Sequence, residues 1–130
     1  MTVQEWVDGY ASAWRDRDPD AAAALFTESC IYLDHPTAEP HRGPDGVRSY
    51  WANVTATQEH PNVQMGHTIV SPDNRRAAVE FWVRMLNSGA EVSVIGILFL
   101  RFDEDGLCDE LRETWNFELG DHPPPEGWGI

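Results

Sequence analysis

Between Asn62 and Leu119 the chain alternates in twos, and this constrains its fold more than any other feature. Turn signals at Pro72-Asp73-Asn74, Asn87-Ser88-Gly89 and Asp103-Glu104-Asp105-Gly106 cut it into strands near Asn62–Val70, Arg76–Leu86, Glu91–Phe102 and Leu107–Leu119. The last two separators are short enough for antiparallel hairpins. Side chains alternate faces along a strand, so parity sorts residues into two sets. In the second strand Val79, Phe81, Val83 and Met85 oppose Glu80, Trp82 and Arg84. In the third, Val92, Val94, Gly96, Leu98 and Leu100 oppose Ser93, Ile95, Ile97 and Phe99, and both sets are apolar. An antiparallel strand with one wet face does not look like this. Both faces of the sheet are therefore expected to be covered. The second face takes either another copy of the chain across a two-fold axis, which is the expectation, with Trp82 at the contact, or the chain's own tail.

Upstream the period changes. Val3, Trp6, Val7, Tyr10, Ala11, Ala13 and Trp14 form the stripe of an amphipathic helix. Asp18-Pro19 opens a second, alanine-rich helix to about Phe26, and Cys30–Leu33 reads as a short strand ended by His35-Pro36. Thr37–Pro44 is a loop, and a third helix, about Asp45–Val54, carries Val47, Tyr50 and Trp51. Helices first and a meander after read as α+β: one domain over residues 1–119, its helices packed in the concave face of a curved, mostly antiparallel sheet. Residues 120–130, with three consecutive prolines, are expected to be an extended tail.

Composition excludes several functions. The chain has 130 residues, 22 acidic and 9 basic, for a net charge of −13, and every basic residue is arginine. Without lysine there is no Schiff-base lysine and no P-loop lysine. Without a basic segment, neither nucleic acid nor a membrane surface is an expected partner. The 42% hydrophobic content argues against disorder. A domain of this size buries roughly 65–70% of its unfolded surface and needs no staples. Cys30 and Cys108 make no redox pair, and Cys30 reads as a small buried hydrophobe. His35 reads as a surface or turn histidine. His41, His60, His67 and His122 lack a metal-binding spacing, so no metal or cofactor is expected. The first residues carry no export signal, which makes the cytoplasm the expected location.

One acid stands out. The odd set of the last strand, Leu111, Glu113, Trp115, Phe117 and Leu119, faces the core, placing the Glu113 carboxylate between apolar neighbours. Either it is desolvated with a raised pKa, or it reaches an arginine or the sheet edge.

The segments Tyr32-Leu33-Asp34-His35-Pro36, Glu39-Pro40-His41-Arg42-Gly43 and Leu111-Arg112-Glu113-Thr114-Trp115 fall into this helix-then-meander order. Together they resemble the cone-shaped fold shared by nuclear transport factor 2, ketosteroid isomerases and SnoaL-like polyketide cyclases. The resemblance covers roughly residues 3–119. It implies Asp34 as a general base and Tyr10 as a hydrogen-bond donor to a developing oxyanion. Glu113 would be a second acid on the same face. The implied cavity lining is Trp14, Phe26, Tyr50, Trp51, Val79, Phe81, Val83, Val94, Gly96, Leu98, Leu100, Leu111 and Trp115. Leu98 stands where the isomerases carry a second, protonated aspartate, and Trp14 and Trp51 shorten the cone. A small aromatic or cyclic ligand therefore suits it better than a steroid. Two functions are implied: a cofactor-independent isomerase, cyclase or hydratase acting on a small hydrophobic carbonyl compound, or a non-catalytic binder or dimeric interaction module. If Tyr10 and Asp34 do not open into one shared cavity, the first fails on geometry. As structural residues, Asp34 would cap the turn before Pro36, and Tyr10 would be a core tyrosine.

Overall fold

The computed structural model describes all residues, Met1–Ile130. Helix α1 (Val3–Arg15) starts at a reciprocal capping box, Thr2 bonding the Glu5 amide and Glu5 the Thr2 amide. Its apolar stripe is buried as the periodicity predicts. Helix α2 (Pro19–Ala23) is capped by Asp18. It is shorter than predicted, and strand β1 (Phe26–Leu33) begins earlier. Alanine propensity favours more helix, but tertiary bonds override it. The Leu25 carbonyl accepts the Trp6 indole at 2.8 Å and the Cys108 amide at 3.0 Å, which draws the chain into the sheet from Phe26 on.

The predicted loop hides a two-residue strand, β2 (His41–Arg42), paired antiparallel to β1 with Tyr32 opposite His41. Helix α3 (Gly43–Thr55) follows. The predicted strand Asn62–Val70 is two pieces, β3 (Gln58–Met65) and β4 (Ile69–Val70), both paired with β5. The long meander is β5 (Arg76–Asn87), β6 (Ala90–Phe102) and β7 (Cys108–Leu119). The strands form one curved, unclosed sheet in the order β2-β1-β7-β6-β5-β3, with β4 on β5. Every pairing is antiparallel except β1 with β7.

The concave face is an aromatic core. Trp6 packs edge-on against Phe26 and Phe102, with centroids 5.7 and 5.5 Å away, and stacks on Tyr10. The other face is covered in part by the chain's own tail. Ser93 is fully buried, its hydroxyl donating to the Gly120 carbonyl at 2.9 Å and accepting the His122 amide at 3.0 Å. Trp82, expected at a dimer contact, instead donates its indole to the His122 carbonyl and packs edge-on against Trp128. Farther along that face Ile97 and Phe99 stay open, Phe99 at 43% exposure. No helix is long and apolar enough to cross a membrane.

Candidate functional site

Strand pairing builds the site. In the parallel β1–β7 register Tyr32 lies opposite Leu111 and Leu33 opposite Arg112, so Asp34 falls beside Glu113. Across β6–β7, Glu113 lies opposite Leu98. Helices α1 and α3 lay Tyr10, Trp14, Tyr50 and Trp51 over these strands.

Between them runs a cleft with two chambers. The inner one, about 40 Å³, is lined by Tyr10, Trp14, Tyr32, Tyr50, Trp51, Val54, Thr55 and Glu113. The outer one, about 280 Å³, shares Trp14, Tyr50, Val54 and Glu113 and widens between Phe81, Met85, Val94, Trp115 and Phe117. No arginine, lysine or histidine lines either chamber.

Glu113 is the pivotal group. Its residue is 8% exposed, and its only side-chain hydrogen bond comes from the Tyr50 hydroxyl, which donates to Oε1 at 3.4 Å. None of the ion pairs in the chain includes it, so the arginine partner considered from sequence is absent. Burial first, then the charge of Asp34, pushes its carboxyl up to about 8, against a small lowering by the Tyr50 bond. A carboxyl in this state is protonated at neutral pH and can donate a hydrogen bond.

The phenols stay protonated as well. Tyr10 and Tyr32 are buried with hydroxyls 3.3 Å apart, and burial, then the Glu113 charge, holds both well above the usual tyrosine range. Tyr50 is pushed up by burial and then by the Glu113 and Asp34 charges. The cleft is thus a ring of neutral donors around one buried carboxyl.

Asp34 departs from expectation. It lines neither chamber, so Tyr10 and Asp34 do not open into one cavity, and the reading of Asp34 as base with Tyr10 as donor fails on geometry. Its carboxylate, 24% exposed, bonds His41 Nε2 at 3.2 Å, and its backbone carbonyl accepts the Trp115 indole at 3.0 Å. The unforeseen strand β2 brings in the histidine that bonds this carboxylate, which also stands beside the Tyr50 hydroxyl. His41 also stacks on Tyr50, ring centroids 4.3 Å apart. The sequence signal for it was faint, a single histidine in a loop rich in proline and glycine.

Of the implied lining, Tyr10, Trp14, Tyr50, Trp51, Phe81, Val94, Trp115 and Glu113 reach the cleft. Phe26, Val79, Val83, Leu98, Leu100 and Leu111 do not; they are buried in the core. Parity names their face correctly, but α1 covers that part of the sheet. Gly96 is filled over by Phe81. Tyr32 and Thr55 join the wall unforeseen. No three histidine, cysteine or acidic side chains converge closely enough to hold a metal ion.

The SnoaL-like domain profile matches residues 4–111. The chain belongs to the SnoaL-like domain family. Among solved structures, this SnoaL-like chain is similar to the epoxide hydrolase/cyclase-like enzyme SalBIII, described with a role in pyran ring formation in the polyether salinomycin. The two are 22% identical over 91% of this chain and 95% of that one, with a TM-score of 0.78. It is also similar to a Δ5-3-ketosteroid isomerase from Mycobacterium sp., at 18% identity over 88% and 92% of the chains and a TM-score of 0.73. A third is RV0760c of Mycobacterium tuberculosis in complex with estradiol-17β-hemisuccinate, at 16% identity over 89% and 95% and a TM-score of 0.74. At these identities the likeness is one of fold. No curated protein sequence matches the chain.

Proposed function

We propose that this chain binds a small hydrophobic molecule in its cone and acts on it by acid–base chemistry without a cofactor, as an isomerase, cyclase or hydratase does. The observation that carries this reading is the Glu113 carboxyl: buried, outside any ion pair and on the wall of both chambers, where burial pushes it up to about 8. A proton that leaves near the operating pH is exchanged with a ligand most efficiently. The register adds support. Glu113 sits directly opposite Leu98, so the acid that the isomerase resemblance seeks on β6 is supplied from β7.

In this reading Glu113 exchanges the proton and Tyr50 orients it. The Tyr10–Tyr32 hydroxyl pair provides a hydrogen bond at the inner end, where negative charge develops on a ligand oxygen. Asp34 acts from behind, its charge holding the proton on Glu113. Relatives described with a cyclase-like role or in complex with a steroid ester support the substrate class in outline. The chamber sizes favour a compact ring system over a steroid.

The test is Glu113→Gln, assayed on a panel of small cyclic enones, ketones and epoxides that includes a compound turned over by the wild type. Turnover should fall by about 10²–10⁴ while ligand affinity changes little. Unaltered turnover would remove Glu113 from the chemistry and leave the cone as a binding pocket.

We further propose that the open part of the convex face pairs with a second copy. Phe99 and Arg112 stand between two hollows of about 310 and 470 Å³, a ridge-and-groove arrangement that a two-fold axis makes self-complementary.

A further inference from the structure

The inner chamber has more aromatic surface than a neutral oxygen needs. Tyr10, Trp14 and Trp51 meet at steep angles, 88°, 85° and 64° between their planes, with centroids 5.3 to 6.3 Å apart. They form the corner of a box. Tyr32 and Tyr50, 5.2 Å apart, add two more rings, and the one carboxyl on the wall is Glu113. Ring faces carry negative potential and attract cations, most strongly where water is excluded. No cationic side chain competes for that potential, because none lines the cleft. The net charge of −13 also raises the local concentration of cations around the molecule.

We propose that the inner chamber is a cage for the alkylammonium head of a small amphiphilic amine, with the Glu113 carboxylate as its counter-charge and the remainder of the molecule in the outer chamber. The proposal rests only on the reading of the cone as a ligand site: an ammonium head would take the place that the carbonyl reading gives to a ligand oxygen, so the two are alternative occupants, and it does not require turnover.

The protons balance in two ways. An amine that arrives uncharged takes the Glu113 proton onto its nitrogen lone pair, and one that arrives as a quaternary ammonium sends that proton to water. Either way an ion pair forms inside aromatic walls. The ionisable groups around Glu113 are Asp34 at the end of β1, with His41 of β2 bonded behind it, Tyr50 of α3, Tyr32 of β1 and Tyr10 of α1. Opposite it on β6 is apolar Leu98. The three phenols are held protonated across the range below, and the charge of Asp34 adds to the attraction for a cation.

Choline and 3,3-dimethyl-1-butanol share a shape and differ in replacing a cationic nitrogen by carbon. Titration calorimetry of the full chain with each, at pH 6.5 and 8.5 and in two buffers of different ionisation heat, decides the matter. Choline should bind at least tenfold more tightly than the alcohol at pH 8.5, and release about one proton at pH 6.5. Its affinity should fall roughly tenfold per pH unit below about pH 8, where Glu113 holds its proton. Glu113→Gln should erase the pH dependence and most of the preference while still binding the alcohol, which also reports that the variant is folded. Equal or tighter binding of the alcohol to the wild type overturns the cage. If neither probe binds but a cyclic enone does, the cage falls and the ligand pocket stands; if none of the three binds, both fall.

Discussion

Glu113 shows how much a single residue's surroundings can be read in advance. Its parity on β7 put the carboxyl on an apolar face, and the structure leaves it there with one long hydrogen bond. That placement destabilises the fold in a pH-dependent way. The folded-state value of about 8 lies above the ordinary glutamate value of 4.5, so between those limits the native chain holds a proton that the unfolded chain has lost. Unfolding free energy therefore falls as pH rises, by up to ~1.4 kcal/mol per unit, and flattens above about pH 8. Glu113→Gln removes this slope. Its Tm relative to the wild type should be nearly unchanged at pH 4.5 and clearly higher at pH 8.5. A constant difference across the range would show that Glu113 does not hold its proton. Asp34 was less legible. Its position beside Glu113 follows from strand register, but its engagement by His41 depends on a two-residue strand that no periodicity announces.

At the scale of elements, patterning succeeded where strands are long and failed where tertiary bonds set the ends. Strands β5, β6 and β7 lie close to where alternation places them. The end of α2 and the start of β1 were misplaced because the Leu25 carbonyl is claimed by Trp6 and Cys108, both distant in sequence. Within the meander, Gly96 lets β6, β7 and Phe81 pack closely. A methyl group there would run into the Thr114 carbonyl oxygen and come within 2.9 Å of Trp115 Cα and 2.8 Å of Phe81 Cζ. The first two are backbone atoms of β7 and cannot swing aside. Gly96→Ala should therefore lower stability by about 3 kcal/mol or more in urea titration. A loss under about 0.5 kcal/mol would mean that the sheet yields more readily than this packing implies.

For the whole molecule the question is what covers the second sheet face. Two apolar sets on β6 required a cover, and the answer divides. The tail takes the region of Trp82 and Ser93, and Ile97 and Phe99 remain open. Sedimentation at micromolar concentration should find a dimer for the wild type and a monomer for Phe99→Glu, with unchanged circular dichroism because Phe99 is surface-exposed within one chain. A monomeric wild type would refute the second copy.

Sequence alone determined the order of the helices and long strands, the α+β class, which side chains share a face, and the absence of lysine beside nine arginines. These follow from local periodicity and composition, which every short segment carries by itself. Only the tertiary structure decided depth: that Leu98 and Leu111 are core while Trp115 and Phe117 are rim, that Asp34 turns to His41, and that five aromatic rings close around Glu113. Depth depends on where α1 and α3 come to rest on strands far away in sequence, and no window of neighbouring residues contains that information.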